Sequence, residues 1–207
     1  MTTIHPELAV ARLAAREIRN GLIALVAAAV LMLVAVLGSF SATDIATSES
    51  FAKLLENPAV RALYGMPFDT TNAGGFAVWR FGTILCVLAG LWALMATTRV
   101  LRGEEEAGRW DLLLTAPVTR DGVLLSHVKV LGGGSVVVGL AVFGSFVAGG
   151  EPAGPAALYA LGVTLLTLTF VAVGVAVVRE EDLLERRLLR SERGDVGIAD
   201  RGEGAPR

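Results

Sequence analysis

Four long apolar runs restrict this chain more than any other feature it has. They cover residues 21–40, 81–98, 122–148 and 155–178, and a helix needs ~20 residues to cross a hydrocarbon core of ~30 Å. The first and fourth runs hold no charged residue, and the second, a little short, holds none either. The third carries His127 and Lys129 near one end, where a long side chain reaches the headgroups. Lipid offers the backbone no water to bond, so each crossing segment must satisfy its own amides and a helix is expected. The fold class that follows is all-α: a polytopic membrane protein with four transmembrane helices in a domain spanning 21–178. Composition agrees, since 54% hydrophobic residues, 18% charged residues and a mean hydropathy of +0.62 are too apolar for an ordinary soluble domain of 207 residues.

Arginine gives the direction of the spans. Arg12, Arg16 and Arg19 precede the first, Arg99, Arg102, Arg109 and Arg120 lie between the second and third, and Arg179, Arg186, Arg187, Arg190 and Arg193 follow the fourth. The other side holds Lys53 and Arg61 in a loop of about 40 residues and no basic residue in the GGEPAG turn. The bias places both termini and the connector between the second and third spans in the cytoplasm. Arg80, beside Trp79 at the outer edge of the second span, reads as an interfacial pair. The net charge of −2, with its signs segregated by region, says little about partners and does not favour nucleic acid; membrane lipid is the partner that the apolar spans imply.

Residues 1–20 resemble the start of a signal peptide, but the apolar run behind them is longer than an h-region, so an uncleaved span is expected. Leu8, Ala11, Ala15 and Ile18 share one face of that segment, which predicts an N-terminal helix lying on the inner surface. The outer loop offers SESFAKLLENPAV as an amphipathic helix broken by Pro58, then turn-forming GMPFDTTNAGG. Nothing in its residue types selects a ligand, so it reads as a spacer. Residues 179–207 form a polar tail in which 180–192 suit a short helix and the rest, rich in glycine and mixed charge, suits disorder.

Catalytic groups at workable spacing are not found. His5 and His127 are the only histidines and Cys86 the only cysteine, with no HExxH or multi-cysteine pattern. Gly132-Gly133-Gly134-Ser135 lacks the closing glycine of a phosphate loop or a nucleophile elbow, because Val137 stands there. With Gly139 these residues suit close helix contact instead. Thr164, Thr167 and Thr169 either line a polar path or bond back to their own helix, and the second reading is preferred.

The most polar stretch of the first two-thirds is the connector RGEEEAGRWDLLLTAPVTR, residues 102–120. Gly103 followed by Glu104, Glu105 and Glu106 suits a helix start, where carboxylates meet the positive end of the macrodipole. Ala107, Trp110, Leu113 and Leu114 then fall on one face of a short helix that Pro117 ends. Two destinations are open to that face: a groove in another protein, anchored by Trp110, or else the membrane interface or the chain's own spans.

The stretch RVLRGEEEAGRWDLLLTAPVTRDGVLLSHV resembles the first cytoplasmic loop of bacterial type II ABC exporter permeases, particularly the tetronasin-resistance-like group. The resemblance runs through Glu105, Glu106, Gly108, Leu113, Leu114, Pro117, Val118, Thr119 and Arg120, and WRFG at 79–82 adds to it. It implies that Glu104, Glu105, Glu106, Gly108, Trp110, Leu113, Leu114, Pro117 and Arg120 form a partner-binding coupling helix in a cleft of a separate ATP-binding subunit. It also implies that this chain binds no cofactor and is not itself an enzyme, ATP being hydrolysed on the partner subunit, and that it sits in a bacterial inner membrane exporting a small molecule such as a drug or antibiotic. Permease halves of this group usually have six spans, so a shortened, split or frame-disrupted permease that assembles with a further permease chain or as a homodimer is expected. The alternative is a non-transport membrane anchor or regulatory protein that binds a cytoplasmic partner through its tail.

Overall fold

A computed structural model describes residues 6–42, 53, 56–66, 72–106 and 120–202. Among them the regular elements are all helical: α1 (Pro6–Ala42), α2 (Pro58–Tyr64), α3 (Ala73–Glu106), α4 (Arg120–Ala148) and α5 (Ala153–Gly202). Four of these are long and apolar enough to cross a membrane, over Ala11–Phe40, Ala73–Leu101, Leu124–Ala148 and Ala153–Glu181. The all-α polytopic reading of the sequence is what the structure shows.

The helices outrun the apolar runs that predicted them. Residues 6–20 continue into α1 without a break, so the separate surface helix expected before the first span is absent. No residue between Pro6 and Gly21 interrupts a helix, and one more turn on an existing helix costs far less than starting a new one. The tail behaves likewise: α5 carries on to Gly202, where partial disorder was expected after about residue 192. Its REEDLLERRLLR segment consists of good helix formers with the last span as a ready nucleus.

Each spanning helix is apolar on all sides, as a membrane bundle requires. Ala14, Ile18, Leu25, Ala29, Leu33 and Val36 run down the buried face of α1, while Leu31, on the opposite face, is 70% exposed. On α5 the buried Ala156, Ala160, Val163 and Val171 contrast with Leu158 at 72% exposure. In water such exposed leucines would drive aggregation; facing lipid they cost nothing.

The layout is a rhombus. α1 packs on α3 and α4, α5 packs on the same two from the other side, and α3 and α4 meet more lightly across the short diagonal. α3 and α5 run in the same direction, since Gly82 faces Tyr159, Gly90 faces Phe170 and Thr97 faces Gly174 in step along their lengths. α1 and α4 also run in parallel, with Leu37 against Gly149 at their shared end.

Because lipid tails are as apolar as the side chains, helices in a membrane associate through close fit. Gly139 provides the closest approach: a Cβ there would strike the Thr164 hydroxyl and lie 3.2 Å from the backbone oxygen of Ala160. Its neighbour Ser135 is fully buried and donates to Leu131 O at 3.1 Å within its own helix. Gly133 faces open space. Gly139→Leu is therefore expected to destabilise the bundle by ~1–3 kcal/mol through overpacking, whereas Gly133→Leu, with the same gain in helix propensity, leaves it unharmed. Thermal unfolding of the two variants in detergent compares them directly.

Candidate functional site

The connector between the second and third spans is described at its two ends. Glu104, Glu105 and Glu106 belong to α3, so they continue a helix already under way where the sequence suggested that they open one. The physical reason is continuity: Val100–Leu101 are already helical, an internal glycine such as Gly103 costs only ~1 kcal/mol against alanine, and glutamate is a good helix former. Arg120 is the first residue of α4. Gly108, Trp110, Leu113, Leu114 and Pro117 lie outside the described residues. What the structure contributes is that the two arms of this connector are single unbroken helices leading across the bundle.

Near that end, a groove of about 360 Å³ runs between α1 and α3. Leu25, Leu88 and Leu91 line its apolar length, and Glu17 and Arg99 stand at its inner mouth. Trp92 forms one wall, its indole against Gly21, and its Nε1 is buried without a hydrogen-bond partner among the described residues.

The opposite end of the bundle is more elaborate. Asn57 caps α2 by accepting from the Ala59 amide at 2.9 Å, and Pro58 takes the first helical position, where its missing N–H is harmless. Pro58 thus begins a helix, and most of the segment predicted as helical before it lies outside the described residues. Gly65 ends α2 at φ 72, a left-handed conformation that glycine adopts freely. Its carbonyl accepts from Trp79 Nε1 at 3.0 Å, while the Tyr64 and Trp79 rings lie 5.7 Å apart. Arg80 places its guanidinium 4.9 Å from the centre of the Tyr64 ring. The Trp79–Arg80 pair therefore fastens the outer loop to α3, and with Phe40, Phe76, Phe146 and Tyr159 it builds a layer of aromatic rings at this level.

A second tie joins the far turn to the same helix. Gly150, at φ 89, turns the chain between α4 and α5. Glu151 then extends its Oε1 to accept from the Gly74 amide at 2.7 Å. Asn72 Oδ1 accepts from the next amide, Gly75, at 2.6 Å. Two of the amides that open α3 are thus satisfied, and a carboxylate faces the positive end of its macrodipole. Beside this junction lies a cavity of about 780 Å³, walled by Tyr64, Trp79, Phe146 and Tyr159 with Glu151 and Asn72 among its polar groups.

The hydroxyls within the spans do not build a polar path. Thr164, Thr167 and Thr169 donate to the carbonyls of Ala160, Val163 and Leu165 at 2.8, 2.7 and 2.8 Å. Thr97 does the same to Ala93 at 2.7 Å. Among the described residues no three His, Cys, Asp or Glu side chains gather as metal ligands. Lys129 is exposed, as its place near a span end suggested, whereas His127 is buried.

Residues 8–184 match the family described as ABC-2 family transporter protein. The chain belongs to that family. Comparison with curated proteins found no match, and comparison with solved structures found none. An ABC-2 family chain with four apolar spans is a membrane permease component of an ABC transporter, which implies an ATP-binding subunit as its partner.

Glu151, Asn72 and the cavity beside them escaped the sequence reading. One signal was present: a lone acid between Gly150 and Pro152 in a six-residue turn otherwise without charge. Its partner amide is 77 residues away in sequence, and no local pattern connects the two. Glu151→Ala should lower the stability of the ABC-2 chain by about 1–2 kcal/mol, allowing for partial exposure of the bond, and Glu151→Gln, which keeps an acceptor for Gly74, should retain most of it. Denaturation of the purified variants measures both.

Proposed function

We propose that this chain is the permease subunit of an ATP-driven exporter in a bacterial inner membrane, assembled with an ATP-binding subunit and a second permease chain or a second copy of itself. Its termini and the connector lie in the cytoplasm, where the arginine bias puts them. The observation that carries the reading is the joining of two whole spans by residues 107–119: α3 runs unbroken to Glu106 and α4 starts at Arg120. A subunit that grips the connector, with Trp110 as anchor and Leu113 and Leu114 beside it, holds the inner ends of both helices at once.

Movement then follows from the packing. α3 and α4 meet lightly, and each packs on both α1 and α5. Closure of the ATP-binding subunit would tilt the two helices as rigid bodies, and α1 and α5, packed on both, would shift with them. The cargo is a small molecule of the drug or antibiotic kind, and no ATP is bound or hydrolysed by this chain.

The double variant Trp110→Ala, Leu113→Ala is expected to reduce co-purification of the ATP-binding subunit at least tenfold, while deletion of residues 180–207 leaves capture intact. The reverse pattern would show a tail-mediated anchor in place of a coupled permease. Orientation has its own test. A membrane-impermeant maleimide applied to intact cells should label Ala59→Cys and leave Gly108→Cys unlabelled until the membrane is opened.

A further inference from the structure

The cavity at the outer end sets one carboxylate, already tied to the start of α3, among several aromatic rings. Glu151 is its only charged residue among those described, and no lysine or arginine lines it. The Glu151 carboxylate is half-buried, with Oε1 engaged by the Gly74 amide and Oε2 turned to the same side, 2.6 Å from where a Gly74 Cβ would stand. A carboxylate drawn partly out of water with one hydrogen bond favours a positive partner.

The rest of the wall suits the body of such a partner. Trp79, Phe146 and Tyr159 present rings to the cavity, and Val78, Pro155 and Leu158 add aliphatic surface. Aromatic faces attract cations, and one such contact already exists in this cluster, where Arg80 rests on Tyr64. The volume of about 780 Å³ lies within the ~300–1,000 Å³ typical of small-molecule sites. A hard metal ion fits poorly, because calcium takes about 6–8 oxygen ligands and one carboxylate with half its capacity committed does not supply them.

We propose that this cavity is a binding site for an organic monocation with a bulky apolar body, held by the charge of Glu151 and the rings of Trp79, Phe146 and Tyr159. As a statement about cargo this rests on the permease reading; as a statement about binding it stands on the cavity alone. The site faces the outer side, so it would receive the molecule at the end of its passage or hold it before release.

The test uses the full chain, purified without any ATP-binding subunit in phosphatidylcholine nanodiscs, and two probes of matched shape and opposite charge, tetraphenylphosphonium and tetraphenylborate. Equilibrium dialysis against protein-free discs removes the lipid contribution. Saturable tetraphenylphosphonium binding is expected, at least tenfold weaker in Glu151→Gln, which keeps the acceptor for Gly74, and lost in Thr83→Trp, which fills the cavity from an exposed position on α3. Equal affinity for tetraphenylborate, unchanged binding in Glu151→Gln with a native melting curve, or no saturable binding at all would overturn the proposal. Since no ATP-binding subunit is present, failure here leaves the docking experiment untouched, and failure of docking leaves this binding result standing.

Discussion

Backbone hydrogen bonding without water is the condition on which the rest of this structure depends. Inside a bilayer an unpaired amide or carbonyl costs several kcal/mol, so the chain crosses as unbroken helices or not at all. Polar side chains in the spans obey the same condition. Thr97, Ser135, Thr164 and Thr167 each return their hydroxyl to a carbonyl four residues back, which removes them as candidates for a hydrophilic route. With the backbone satisfied within each helix, assembly is left to shape. Small residues at Gly90, Gly139 and Gly174 admit Phe170, Thr164 and Thr97 from facing helices.

Where the helices leave the hydrocarbon, the condition relaxes and chemistry concentrates. The outer end carries two ties between segments distant in sequence, Trp79 to Gly65 and Glu151 to Gly74. Both use backbone groups at the end of a helix, which have no partner inside it. The same junction brings four aromatic rings and one carboxylate around a cavity. At the opposite end the helices simply continue. α3 projects through Glu106 and α5 through Gly202, so forces applied beyond the membrane meet stiff levers.

Much of this was legible in the sequence because a membrane enforces a simple code. Four charge-poor runs gave four spans, and the preference for self-bonded threonines over a polar path agrees with the structure. Helix ends were less legible. Glu104–Glu106 looked like a helix start by charge but continue α3, since extending an existing helix costs far less than nucleating a new one. For the same reason α1 runs across the boundary placed at residue 20, and α5 continues to Gly202. Trp110, Leu113 and their neighbours lie outside the described residues, and their role stays with the argument from sequence.

The sequence by itself determined which segments cross the bilayer, because apolar length acts locally, span by span. Only the tertiary structure decided which helices touch and what they enclose. Glu151 meets Gly74, and Tyr64, Trp79, Phe146 and Tyr159 share one cavity, because the rhombic packing brings the outer ends of α3 and α5 together. That proximity depends on side-chain fit between surfaces far apart in the chain, which no local periodicity encodes.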